Sequence, residues 1–152
     1  MKKLKLLTLT LLLTCVFSIG VNAQTNDRIQ KEYTLGNTII NSTRSTEDDP
    51  LSYMNDTLSK TDDYLLIYCN TVSIYTCDSI ELSIYLQKKV NGYWSTVKTY
   101  NCSNSNQSSL SITKQYRNYS SNSEYRLKVY HYATYNDKTY IQSSTTSTLT
   151  TD

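Results

Sequence analysis

From Ser79 to Val90 the side chains alternate without a slip. Ile80, Leu82, Ile84, Leu86 and Val90 fall on one side, and Glu81, Ser83, Tyr85, Gln87 and Lys89 on the other. A period of two is the signature of a strand with one face in a core and one in water. Asn91-Gly92 follows directly. That pair tolerates the positive φ that both central residues of a type I′ turn require, so it predicts a two-residue hairpin with Tyr93–Cys102 as the return strand. Helix has little to build on in the remainder. Alanine occurs only at Ala23 and Ala133, whereas tyrosine alone supplies 15 residues and threonine, isoleucine and valine are frequent. Such side chains suit pleated, half-buried surfaces, and the fold class is all-β.

Further strands follow the same pattern. Tyr64–Val72 carries Leu65, Ile67 and Cys69 at period two, and Leu110 and Ile112 mark another strand. Glu124–Thr134 sets Tyr125, Leu127, Val129, His131 and Ala133 against Arg126, Lys128, Tyr130 and Tyr132. Asn136-Asp137 then turns the chain into Thr139–Leu149. About seven short strands with turn signals roughly every 10 residues form the pattern of an immunoglobulin- or fibronectin-III-like β-sandwich of antiparallel strands. Tyr125, near the start of the penultimate strand, is a candidate tyrosine corner.

The N-terminal part reads differently. Lys2, Lys3 and Lys5 precede an apolar run from Leu6 to Ile19, and Val21-Asn22-Ala23 offers small residues for a peptidase. Residues 1–23 are therefore expected to be a secretory signal peptide, with the mature chain starting at Gln24 and secreted, extracellular. Residues 24–60 are polar and include the acidic stretch Glu47-Asp48-Asp49; they are expected to form a largely disordered spacer, although Leu51–Leu58 can dock as a short strand. Residues 61–152 would be the β-sandwich domain.

Several function classes lose their footing. Three of the 15 basic residues lie in the signal, so 12 face 13 acidic ones in the mature chain. A nearly neutral chain has no electrostatic footprint for nucleic acid, nor for a membrane surface once the signal is removed. Only Gly36 and Gly92 remain after residue 23, which leaves no glycine-rich phosphate cradle, and no cofactor is expected. The sole histidine, His131, falls on the inward face, where a satisfied core residue is the expected role rather than a general base. No paired carboxylates suggest glycoside hydrolysis, and no CxxC spacing suggests a metal site. The expectation is a protein that is not an enzyme. Cys69, Cys77 and Cys102 allow three pairings in an exported chain. A bridge between Cys77 and Cys102 with a core thiol at Cys69 is expected, with three reduced cysteines as the rival.

The hairpin register makes the functional expectation specific. A two-residue turn sets Val90 opposite Tyr93, Lys89 opposite Trp94, Gln87 opposite Thr96 and Tyr85 opposite Lys98, and opposed residues share a face. Ile80, Leu82 and Leu86 point inward, so Tyr85, Trp94 and Tyr100 are expected outside. If the penultimate strand neighbours the first strand of the hairpin, Tyr130 and Tyr132 join them, with Tyr140 a further candidate. Aromatics among Gln87, Thr96, Lys98 and Lys128 suit recognition, because rigid rings supply contact area at low entropic cost and also stack on sugars. The alternative is that tyrosine is merely a strand filler.

Three stretches, Ile80–Trp94, Tyr125–Asn136 and the Thr-rich Ser143–Thr150, together resemble a family of small exported proteins of uncharacterised function from Gram-positive bacteria (Firmicutes). The resemblance implies a secreted β-sandwich and carries no activity with it. The functional expectation is a non-catalytic binding module at or outside the bacterial cell envelope, its partner a cell-envelope or host glycan or protein. Alternatives are a self-assembling extracellular matrix protein and a bacteriocin-like toxin.

Overall fold

The computed structural model describes residues 48–152 and, as backbone, residues 34–35 and 38–39. The expected signal peptide and most of the expected spacer lie outside the described residues. The described residues form eight strands: β1 (Thr34–Leu35), β2 (Thr38–Ile39), β3 (Leu51–Lys60), β4 (Leu65–Val90), β5 (Tyr93–Tyr116), β6 (Ser123–Tyr135), β7 (Lys138–Thr146) and β8 (Leu149–Thr151). The described residues include no helix, and every strand pairing is antiparallel. The order is β1-β2-β7-β6-β4-β3, with β5 also paired to β4 and β8 to β6.

β4 and β5 form one long hairpin that organises the rest. Asn91 (φ 52°) and Gly92 (φ 84°) make the left-handed turn that their sequence predicts. The second half of β4 lies between β5 and β6, while its first half lies between β5 and β3. The halves meet at Ser73–Thr76, where the register with β5 shifts between Val72 and Cys77. Here Ile74 N–H donates to Pro50 O (2.9 Å) and Tyr75 N–H to Ser73 Oγ (3.1 Å). The strand expectations Tyr64–Val72 and Ser79–Val90 are thus two arms of one strand that bends without breaking. A second left-handed turn, Asn136 (φ 52°) and Asp137 (φ 60°), joins β6 to β7 as expected.

β3 corrects the domain boundary. It pairs with β4 along its length, from Leu51↔Ser73 to Lys60↔Leu65, so the folded part begins by Asp48 and not at residue 61. Met54, Asp56 and Leu58 point inward and are buried. The core joins Leu51 and Leu58 of β3 to Leu65, Ile67 and Cys69 of β4's first arm. It continues with Ile80, Leu82, Ile84 and Leu86 of the second arm and with Leu127, Val129 and Ala133 of β6. Tyr125 is buried too, and its hydroxyl accepts the Ser120 N–H at 2.9 Å, tying the segment before β6 to the core.

Candidate functional site

The outer face of β5, β4, β6 and β7 is laid out by register. Lys89 lies opposite Trp94, and Gln87 opposite both Thr96 and Arg126. Tyr85 lies opposite Thr99 and Lys128, Ser83 opposite Asn101 and Tyr130, and Glu81 opposite Ser103 and Tyr132. Opposed residues share a face, and their inward neighbours Leu82, Ile84, Leu86, Leu127 and Val129 are all buried. Tyr85, Trp94, Tyr130 and Tyr132 therefore share one surface, each half-buried. Tyr85 and Tyr130 make an edge-to-face pair with centroids 5.9 Å apart at 88°.

Tyr100 does not belong to that surface. The register shifts between Leu86 and Gln87: Gln87 pairs with Thr96 and Leu86 with Lys98, leaving Val97 as an extra residue. A bulge of one residue inverts everything beyond it. Tyr100 consequently lies opposite Ile84 and packs against the core. Lys98 moves with it, opposite Leu86, its ammonium 5.6 Å from the Tyr100 ring centroid. Tyr140, opposite Ala133, is buried rather than outward.

Cations are held against the exposed rings. The Arg126 guanidinium sits 4.3 Å from the Trp94 centroid, and its Nε donates to Gln87 Oε1 at 2.9 Å. Loss of hydration there pulls Arg126 below its ordinary pKa. Lys128 Nζ stands 5.2 Å from the Tyr130 centroid, and Lys89 both approaches Trp94 (5.9 Å) and pairs with Glu124 (2.7 Å). At half-exposed sites a cation–π contact is worth about 0.5–1 kcal/mol. Their effect is to fix the orientation of Trp94. The stacking of Arg126 on Trp94 was not foreseen; the one signal for it is that Gln87 has Arg126 on one flank and the Trp94-bearing strand on the other.

A second cluster, polar and without an evident local signature, lies inside. His131 is fully buried. Its Nδ1 is 2.6 Å from Thr71 Oγ1 on β4, and its Nε2 is 3.0 Å from Asp56 Oδ2 on β3. Ser144 Oγ on β7 donates to the same carboxylate oxygen. One assignment satisfies the set: Thr71 donates to Nδ1, Nε2–H donates to Asp56, and Ser144 donates to Asp56. A threonine, histidine and aspartate in line resemble a nucleophilic relay, yet Thr71, His131 and Asp56 have no exposed surface for a substrate to reach. The expectation of a satisfied core histidine on the inward face matches this arrangement. Nearby, the buried Asp49 carboxylate accepts from Leu51 N–H (2.9 Å) and Gln142 Nε2 (2.8 Å).

Among the described residues, the thiols of Cys69, Cys77 and Cys102 are free. Cys102 lies opposite Leu82, whereas Cys77 lies five residues further along β4 near Gln107, so the expected Cys77–Cys102 bridge is not formed. At about 3.3 Å per residue the two positions are some 15 Å apart along the ladder, far beyond disulfide reach. Cys77 instead donates to Ser73 Oγ at 3.1 Å. Burial, and then the Asp56 carboxylate, push the Cys69 thiol far above its ordinary value.

A shallow cleft at the β6–β7 turn is lined by Asp48, Tyr75, Tyr135, Asn136, Lys138 and Tyr140, with Tyr75 and Tyr135 stacked at 4.8 Å. No group of histidine, cysteine and acidic side chains suited to a metal occurs among the described residues, and no helix there is long and apolar enough to cross a membrane.

No family model, curated protein or solved structure matches this chain. Function must therefore be argued from the surface itself.

Proposed function

We propose that this is a secreted, non-catalytic binding module whose aromatic face engages a glycan or protein at or outside a bacterial cell envelope. The observation that carries the reading is the common outer face of Tyr85, Trp94, Tyr130 and Tyr132, edged by Arg126 and Lys128. Fixed rings beside Ser83, Thr96 and Ser143 offer flat apolar area together with adaptable hydrogen-bonding groups. The basic, apolar N-terminus supports export. The full burial of His131 supports a non-catalytic role.

The same reading takes the fold as an immunoglobulin-like sandwich. Among the described strands β3 pairs only with β4, yet Asp56 reaches His131 of β6 and Ser144 of β7, as expected if the sheet closes over itself. The Tyr125 hydroxyl reaching back to Ser120 supports a tyrosine corner.

The test is a glycan array and a cell-wall pull-down with residues 24–152, beside a Tyr85→Ala/Trp94→Ala variant whose circular dichroism matches the parent. Binding by the parent and its loss in the variant is the expected result. Equal binding by both forms, or by neither, overturns the reading.

A further inference from the structure

β5 is the longest one-sided strand of the molecule. Its 24 residues run beside β4 except at its irregularities, and no other strand pairs with it among the described residues. Its far edge presents a row of backbone N–H and C=O groups open to a further strand. Natural sheets block such edges with charge, proline or bulges. Between Lys98 and Lys114 this edge has neither a charged residue nor a proline. The two irregularities, at Val97 and around Asn106 (φ 55°), frame the stretch Lys98–Ser105, which pairs with Leu86–Ser79 without interruption. Its outward side chains are small and polar: Thr99, Asn101, Ser103 and Ser105, all exposed.

We propose that this edge binds a second copy of the same chain, β5 to β5 and antiparallel, about a twofold axis perpendicular to the sheet near Asn101 or Cys102. Charge favours a second copy in particular. A neutral edge meeting itself brings no like charges together, and Lys98 lands opposite an uncharged Asn104 or Asn106 in either register. Side-chain parity restricts the pairing as well. Opposed residues must share a face, so the axis passes through a residue and not between two. With the axis at Asn101, Thr99 lies opposite Ser103 of the other copy, a pairing suited to cross-strand hydrogen bonds. Because the same edge is used twice, the contact closes at two copies and does not propagate into a fibre.

The axis also brings two Cys102 residues together, directly opposite at about 5 Å or diagonal at about 7–8 Å. Cys102 is half-buried while Cys69 and Cys77 are buried. A short bismaleimide is therefore a selective probe.

The experiment is analytical ultracentrifugation of the purified chain across a hundredfold concentration range, with bismaleimide cross-linking in parallel. The expected results are a concentration-dependent dimer and a cross-linked dimer that vanishes in Cys102→Ser. Asn101→Lys/Ser103→Lys, at exposed positions where folding is unaffected, should weaken the dimer at least tenfold with circular dichroism unchanged. Concentration-dependent protection of the Lys98–Ser105 amides from hydrogen exchange in the unaltered chain gives a readout without mutation. A monomer at every concentration overturns the proposal. So does a dimer that the lysine pair leaves intact, or protection that does not change with concentration.

Discussion

Replacing Asp56 with alanine tests whether the buried polar cluster holds β3 to the rest of the sheet. The substitution removes the oxygen that accepts from both His131 Nε2 and Ser144 Oγ, at a position with no exposed surface. Both donors lose this acceptor, and the one contact left between them is the longer approach of His131 Nε2 to Ser144 Oγ, 3.4 Å. A stranded buried donor costs about 1–3 kcal/mol. With two donors losing their acceptor, the expected destabilisation is about 2–5 kcal/mol, a large share of the roughly 5–15 kcal/mol that holds an ordinary domain together.

Urea unfolding followed by far-ultraviolet circular dichroism measures this directly. With a slope of about 2 kcal/mol/M, the midpoint should fall by about 2 M and the slope should hold. Asp56→Asn keeps the shape and one acceptor oxygen, and should lose less, about 1–2 kcal/mol. A double-mutant cycle with His131→Ala separates the cluster from simple loss of packing. Once Asp56 is gone, removing His131 also removes a stranded donor, so the double variant should be more stable than additivity predicts by about 1–3 kcal/mol. A loss below about 1 kcal/mol for Asp56→Ala, or strict additivity in the cycle, would refute the account.

Other predictions follow from single contacts. Tyr125→Phe keeps the buried ring and strands the Ser120 N–H, and should cost about 1 kcal/mol in the same unfolding assay. Gly92→Ala meets no atom within 4 Å of the added carbon, so its cost is the left-handed backbone alone, about 1–2 kcal/mol by urea unfolding. In the native protein, iodoacetamide should label Cys102 well before Cys69, which should react only on unfolding; early labelling of Cys69 contradicts its burial. The folded Cys69 thiol lies above its unfolded value, so its contribution is complete below pH 9.0 and is lost as pH rises beyond it. The loss is at most about 1.4 kcal/mol per pH unit, and Cys69→Ala should flatten that part of the profile.

Much of the fold was legible because it rests on local pattern. The alternation of Ser79–Val90, the Asn91-Gly92 turn and the two-sided pattern of Glu124–Thr134 each fall within one short window, and each stands as read. What was illegible is non-local or too small to leave a trace. β3 is the docking strand that Leu51–Leu58 allowed within a polar stretch, but its anchorage has no local sign: Asp56 occupies an inward position, and the groups bonded to it, His131 and Ser144, lie 75 and 88 residues away. The continuity of β4 through Ser73–Thr76 depends on Pro50 and on the bulge opposite β5, neither visible locally. The Val97 bulge has no marker in Ser95-Thr96-Val97-Lys98, yet it alone moved Tyr100 and Lys98 to the other face.

That bulge also separates the two surfaces on which the functional proposals rest. Without it, Tyr100 would stand on the outer face of β5, and a ring there would crowd a strand approaching the edge. With it, the outer face of β5 between Val97 and Asn106 holds only Thr99, Asn101, Ser103 and Ser105, and Tyr85, Tyr130 and Tyr132 stay on β4 and β6. A copy paired along β5 would therefore leave all three tyrosines uncovered. The twofold axis, perpendicular to the sheet, would turn both aromatic faces the same way. Two faces on one rigid sheet raise the effective concentration of the second binding event. Dimerisation and ligand binding should then be separable by mutation. Asn101→Lys/Ser103→Lys should abolish the dimer and weaken binding to a polymeric ligand while leaving affinity for a monovalent fragment unchanged. Tyr85→Ala should remove fragment binding and leave the dimer intact. If either variant abolished both properties, the edge and the face would be a single site, and the separation argued from the Val97 bulge would fail.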